Sequence, residues 1–188
     1  MKFQGITGNF AEANAEALAV AVFKGEKPAS GVLKDLDKLT GGLIAPVIKA
    51  EEFKGDVGQT ALLRFAANGT VRASRLLLVG VGDKKEYTSA SVARAAGTAT
   101  RFLRSRNIKS IAFMPRFDGD AVEAAQNAVQ GFITSQFELD KYKTKDKNEK
   151  AVTGFVVCVD GAKSGDLKKG IERGQAIGES MNFARDLA

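Results

Sequence analysis

Four stretches of this chain are apolar without a polar break: Ala17-Leu18-Ala19-Val20-Ala21-Val22-Phe23, Leu76-Leu77-Leu78-Val79, Ile111-Ala112-Phe113-Met114 and Phe155-Val156-Val157-Cys158-Val159. A strand with one wet face alternates apolar and polar residues. A run without alternation must hide both faces. These runs are shorter than an ordinary helix, so they read as strands covered above and below. The cover has to come from helices, and the spacing supplies them. Val92, Ala95, Ala96, Ala99, Phe102 and Leu103 recur at helical intervals, as do Val122, Ala125, Val129, Phe132 and Ile133. Strands alternating with helices call for an α/β, three-layer sandwich.

In chain order the expected strands are residues 2–7, 17–23, 59–66, 75–80, 108–114 and 153–159. The expected helices are 31–39, 89–106, 118–138 and 166–188. Ser30 stands where it would cap the first helix, and Gly41-Gly42 would close it. Asp118 and Asp120 stand at the start of the third, where carboxylates suit the helix dipole. Asn68-Gly69 reads as a hairpin-type turn, which makes strands 59–66 and 75–80 antiparallel neighbours and the sheet mixed, mostly parallel. Residues 141–150, polar and unperiodic, read as an exposed loop.

Histidine is absent from all 188 residues. Ser-His-Asp and Cys-His chemistry, and zinc sites built on imidazole, are therefore excluded within them. The single Cys158 leaves no internal disulfide and favours a reducing compartment. Its apolar neighbours make it a buried filler rather than a nucleophile. No stretch approaches the ~18 apolar residues of a membrane span, and the first residues lack the order of a secretory signal. The expectation is a cytoplasmic protein without a membrane partner. The net charge of +6 permits contact with an anion without demanding one.

Three features bear on chemistry. Gly80-Val81-Gly82-Asp83 follows a buried strand. Gly80, Gly82 and Asp83 read as a tight turn or as a candidate phosphate loop, although Lys85 stands where a third dinucleotide-type glycine would be. Gly170, Gly174 and Gly178 repeat every four residues along the last helix. Each glycine costs a helix about 1 kcal/mol against alanine, so something presses close to that stripe. It is either the seat of another domain or subunit, or a close packing onto the domain's own sheet. Basic residues gather at Arg101, Arg104, Arg106 and Lys109 and again at 141–150; both clusters read as solvated surface, with nucleic acid as the functional alternative. The carboxylates are scattered, with nothing like a two-metal cluster.

Three stretches together resemble the N-terminal domain of the leucyl (cytosol) aminopeptidase family. They are Leu76-Leu77-Leu78-Val79-Gly80-Val81-Gly82-Asp83-Lys84-Lys85-Glu86 with the subsequent Arg94-Ala95-Ala96-Gly97; Gln130-Gly131-Phe132 through Phe137-Glu138-Leu139-Asp140-Lys141-Tyr142-Lys143-Thr144-Lys145; and Asn182-Phe183-Ala184-Arg185-Asp186-Leu187. The resemblance implies a macro-domain-like body over residues 1–165 and an interdomain linker helix over 166–188, with the catalytic domain lying beyond. In that family Asn182, Ala184, Arg185, Asp186 and Leu187 match a linker motif, carried over here as structural residues. No catalytic residue and no metal ligand of the family falls on this chain.

The resemblance also implies a non-catalytic domain serving assembly and positioning. The parent would be a homohexameric metallo-aminopeptidase that releases N-terminal residues from peptides with two divalent metals (zinc, manganese or magnesium). This chain itself would hold no cofactor, and its first partner would be its own catalytic domain. Two other readings stay open: a macro-like module binding a nucleotide or ADP-ribose at Gly80–Asp83, and a DNA-binding accessory domain.

Overall fold

The computed structural model describes residues 1–10, 13–66, 71–137 and 150–187. Among these residues six strands form one sheet: β1 (Lys2–Ile6), β2 (Ala17–Val22), β3 (Thr60–Arg64), β4 (Arg75–Gly80), β5 (Ser110–Met114) and β6 (Gly154–Cys158), in the spatial order β1-β6-β5-β2-β4-β3. Only β3 runs antiparallel to its neighbour; the other pairings are parallel. All six residues of β2 are buried, as the unbroken apolar run requires.

Among the described residues five α-helices cover the sheet: α1 (Gly31–Leu39), α2 (Ile44–Lys49), α3 (Ser89–Arg104), α4 (Ala121–Ser135) and α5 (Ser164–Leu187). Alternate strand residues point to opposite faces, which splits the core in two. Ala19, Leu77, Phe113 and Phe155 meet α3, α4 and α5. Leu18, Leu76, Leu78 and Cys158 meet α1 and α2. The first core is the more aromatic: Phe155 stacks on Phe132 at 4.3 Å between ring centroids, and Phe3 meets Phe132 edge-on at 5.6 Å. The mixed three-layer sandwich expected from the sequence is the observed fold.

Several local expectations need correction. Ser30 occupies the N-cap position of α1 but makes no side-chain cap bond. Helix α4 begins at Ala121, not at residue 118; Asp120 is its N-cap and accepts the Glu123 N–H at 3.0 Å, whereas Asp118 pairs with Lys84 at 2.8 Å. Helix α2 was not expected, because six residues with Pro46 inside them show no full helical period. Its first N–H groups, which no helical carbonyl can serve, find a distant acceptor: Asp37 Oδ1 of α1 accepts from Ile44 N (2.7 Å) and Ala45 N (3.1 Å). The Asn68-Gly69 turn, residues 141–149 of the polar loop, and residue 138 at the expected helix end lie outside the described residues.

Candidate functional site

The chain runs from β2 outward to β4, then crosses back to β5 on the other side of β2. In parallel sheets ligands bind beyond the carboxyl ends of the strands at such a reversal. Two adjoining hollows lie there, of about 420 and 280 Å³. Val32, Met114 and Asp160 line both. The larger continues to Asn9, Phe10, Asp35 and Leu36, and the smaller to Phe23, Lys84 and Arg116.

The strand ends on the cationic side are clamped together. Arg116, just past β5, sits at φ 52°, a left-handed conformation that costs a non-glycine residue energy. Its guanidinium grips Glu26 in a two-pronged ion pair at 2.6 and 2.7 Å and donates to the Ala21 carbonyl of β2 at 3.1 Å. Glu26 also accepts the Phe23 N–H at 3.2 Å. The pair is partly withdrawn from water, with side chains 16% and 20% exposed, so breaking it would leave a half-buried charge without its partner. Arg116 also lies over the Phe23 ring, 5.2 Å from its centroid. Tyr87 closes the cluster. Its hydroxyl donates to the Pro115 carbonyl at 2.6 Å, its ring meets Phe23 edge-on, and burial pushes its phenol above the ordinary range against the opposing pull of Arg116.

The hollows are lined by the carboxylates of Asp35, Asp118 and Asp160 and by two cations, and the one thiol beside them is not poised to react. Burial pushes the Cys158 thiol up to about 12, so it stays protonated. Arg116 and Lys84 already face carboxylates. Among the described residues no three Cys, Asp or Glu side chains converge as a metal site would need. No local sequence signal points to the clamp. Glu26 and Arg116 are 90 residues apart, and neither sits in a motif.

Gly80 and Gly82 lie elsewhere, at the carboxyl end of β4. The N–H groups of Gly80, Val81 and Gly82 donate to the carbonyls of Gln59, Val22 and Gly55 at 2.7, 3.0 and 2.9 Å. The space a Cβ on Gly80 would occupy is filled by the Gly55-Asp56 backbone. Donors already spent on the protein cannot cradle a phosphate. Asp83 stands before a short 3₁₀ turn, and its carbonyl accepts the Glu86 N–H at 3.0 Å.

Gly170, Gly174 and Gly178 face α4, not the sheet. A Cβ on Gly170 would collide with the Val122 carbonyl; on Gly174 it would stand 2.5 Å from the Gln126 carbonyl oxygen, and on Gly178 2.9 Å from Ile133 Cβ. The terminal motif continues this seam. A helix leaves its last carbonyls without partners. Asn182 Nδ2 donates to the Ile133 carbonyl at 3.1 Å, and Arg185 Nη1 to the Thr134 carbonyl at 3.2 Å. Both acceptors are in the last turn of α4, so residues three apart on α5 serve it from one face. Ala184 and Leu187 are exposed, and Asp186 is half-buried.

The comparisons with known proteins agree with this fold. A model of the cytosol aminopeptidase family, N-terminal domain, matches residues 19–146. The chain belongs to the cytosol aminopeptidase family. A probable cytosol aminopeptidase of Solibacter usitatus is 33% identical over 173 residues, covering 92% of this chain and 32% of that protein. Another, of Rippkaea orientalis, is 27% identical over 188 residues, covering all of this chain and 37% of its own length. The chain thus spans about a third of the length of such cytosol aminopeptidases. A tomato leucine aminopeptidase mutant superposes with a TM-score of 0.82 at 20% identity, over all of this chain and 38% of that one. The bottromycin maturation enzyme BotP, in complex with Mn, gives 0.64 at 21% identity over 92% of this chain and 31% of its own. These two likenesses speak for the fold alone. No described helix is long and apolar enough to cross a membrane.

Proposed function

We propose that this chain is the non-catalytic N-terminal domain of a di-metal leucyl aminopeptidase, serving assembly and domain positioning. The match of the family's N-terminal model to residues 19–146 carries this reading. The parent enzyme releases N-terminal amino acids from peptides in the cytoplasm. It uses two divalent metals, zinc, manganese or magnesium, bound outside these residues, and works as a hexamer. In this reading the expected boundary at residues 165 and 166 moves to the start of α5: the residues before Ser164 form the body, and α5 (Ser164–Leu187) leads to the catalytic domain. The seam between α4 and α5 supports that role. Through Gly170, Gly174, Gly178, Asn182 and Arg185 the helix leaves the body along one fixed direction. Its far face carries exposed Phe183 and Leu187, four residues apart, as a contact for the catalytic domain. The test is hydrolysis of leucine p-nitroanilide by this chain with Mn²⁺ or Zn²⁺ added. Release of p-nitroaniline at the rate of a metal-only blank is expected; turnover above it overturns the reading.

A second reading, a nucleotide or ADP-ribose module, draws on the crevice at the strand ends rather than on Gly80–Asp83. A ligand at 100 times its Kd would stabilise the fold by about 2.7 kcal/mol. An unchanged melting temperature with millimolar ADP-ribose removes this reading.

A further inference from the structure

Beyond the carboxyl ends of β1, β5 and β6 the crevice widens into its larger hollow, about 420 Å³, the size of a small organic ligand. Its wall is largely apolar. Phe10 follows β1, Met114 ends β5, and Val32, Leu36 and Leu39 line it from α1. Such a wall shelters a hydrocarbon body from water. The polar side chains that interrupt it are few: Asn9, Asp35 of α1, and Asp160, two residues past β6. One carboxylate thus comes from the helix layer and the other from the sheet.

The charge balance decides what else an occupant must carry. In the adjoining smaller hollow Arg116 is held by Glu26 and Lys84 by Asp118. Both cations are therefore spent within the protein. The side chains of Asp35 and of Asp160, which lines both hollows, have neither an ion pair nor a hydrogen bond. Among the described residues no lysine or arginine lines the larger hollow. In a chain of net charge +6 this pocket is locally negative. A pyrophosphate, or the carboxylate of a free amino acid, would meet like charge there and find no cation to receive it. An ammonium, with three donors and no acceptor, would meet two groups that only accept.

We propose that this hollow binds a small-molecule amine: a protonated primary ammonium on an apolar body, with no carboxylate or phosphate. The hydrocarbon lies against Phe10, Leu36 and Met114, and Asp35 and Asp160 receive the ammonium. Such a ligand is opposite in charge to ADP-ribose, and its site is separate from the α5 face assigned above to the catalytic domain.

The test is a titration of the ¹⁵N-labelled chain at pH 7 and about 10 mM ionic strength, where charge is weakly screened. Three compounds of nearly equal shape are compared: 4-methylpentylamine, 4-methylpentan-1-ol and 4-methylpentanoate. The amine is expected to shift the amides of Val32, Leu36, Met114 and Asp160, and to bind about tenfold more tightly than the alcohol. The carboxylate should bind more weakly than either. Asp35→Asn and Asp160→Asn, both at exposed positions, should each weaken the amine and leave the alcohol unchanged. Together they should bring the amine to the affinity of the alcohol. Absence of shifts at these amides with millimolar amine overturns the proposal. So does equal binding of amine and alcohol to the unaltered chain, or tighter binding of the carboxylate. Millimolar ADP-ribose is the last arm: displacement of the amine from these amides would favour the nucleotide reading and overturn this one.

Discussion

On one face of the sheet α3, α4 and α5 run 16, 15 and 24 residues and meet backbone to backbone. On the other, α1 and α2 run 9 and 6 residues and are joined through one carboxylate, that of Asp37. The long helices have no slack. Gly131 of α4 lies so close to Ala93 of α3 that a Cβ would overlap the Ala93 carbonyl, and the α4–α5 seam is as tight. The short helices leave room, and Val32 and Leu36 of α1 line the crevice at the strand ends. A layer that must hold a long helix in one direction needs close contact along its length. A layer that borders a cavity needs only to shield the sheet.

The largest effect should come from the tight face. Gly131→Ala gains about 1 kcal/mol of helix propensity but forces a methyl into a neighbouring backbone at about 3 kcal/mol. A net loss of about 2 kcal/mol in urea unfolding is expected. A neutral result would mean that α3 and α4 can part cheaply, and the contrast between the faces would fail.

Alkaline pH probes both faces. Cys158 belongs to the core under α1 and α2, and Tyr87 packs against the core under the long helices. Burial raises both acids above their ordinary values, the thiol from 9.0 to about 12. Above pH ~9 the unfolded chain gives up the thiol proton and the folded chain keeps it, so stability is full below ~9 and falls toward 12. The slope for one such group is about 1.4 kcal/mol per pH unit. Urea midpoints at about pH 9.5 and 10.5 should show it, and Cys158→Ala should make the decline shallower. An unaltered slope in that variant would place the thiol in contact with water.

On the looser face Asp37→Ala removes the cap of α2 and should cost about 1 kcal/mol, with faster amide exchange at Ile44 and Ala45. Unchanged exchange would mean that α2 stands without its distant acceptor. The smallest effect sharpens the comparison within α5 itself. An alanine methyl at Gly165 would have nothing within 4 Å, unlike one at Gly170, Gly174 or Gly178. Gly165→Ala should therefore stabilise by about 0.5 kcal/mol, while the same change at Gly174 destabilises. Equal signs at the two positions would show that helix propensity, not close packing, governs the stripe.

Much of this fold was legible because strands and long helices announce themselves locally. The run Arg75–Gly80 is β4 to the residue, and of the expected α3 stripe Val92, Ala95, Ala96, Ala99 and Leu103 are buried, while Phe102 is only half-buried. Helix α2 was not legible, since six residues held by a carboxylate seven and eight positions earlier carry no period of their own. The candidate site was hardly legible at all. Gly80 and Gly82 drew attention as a glycine-rich turn, yet the carbonyls that occupy their N–H groups belong to Gln59 and Gly55. The clamp of Arg116 on Glu26 had no local signal, because a residue's φ and the direction of its guanidinium depend on what stands across the strand ends.

Sequence alone determined the layers of this protein, the position of most strands and helices, and the family resemblance later matched by comparison. Apolar periodicity is a property of neighbours in the chain, so it survives being read in one dimension. Tertiary structure alone decided that β1 would lie beside β6, that the glycine stripe would meet α4, and that Asn182 and Arg185 would serve its last carbonyls. Those outcomes join residues far apart in the chain, Lys2 with Gly154 and Asn182 with Ile133. They follow from where the crossovers set each strand and helix, which no local pattern encodes.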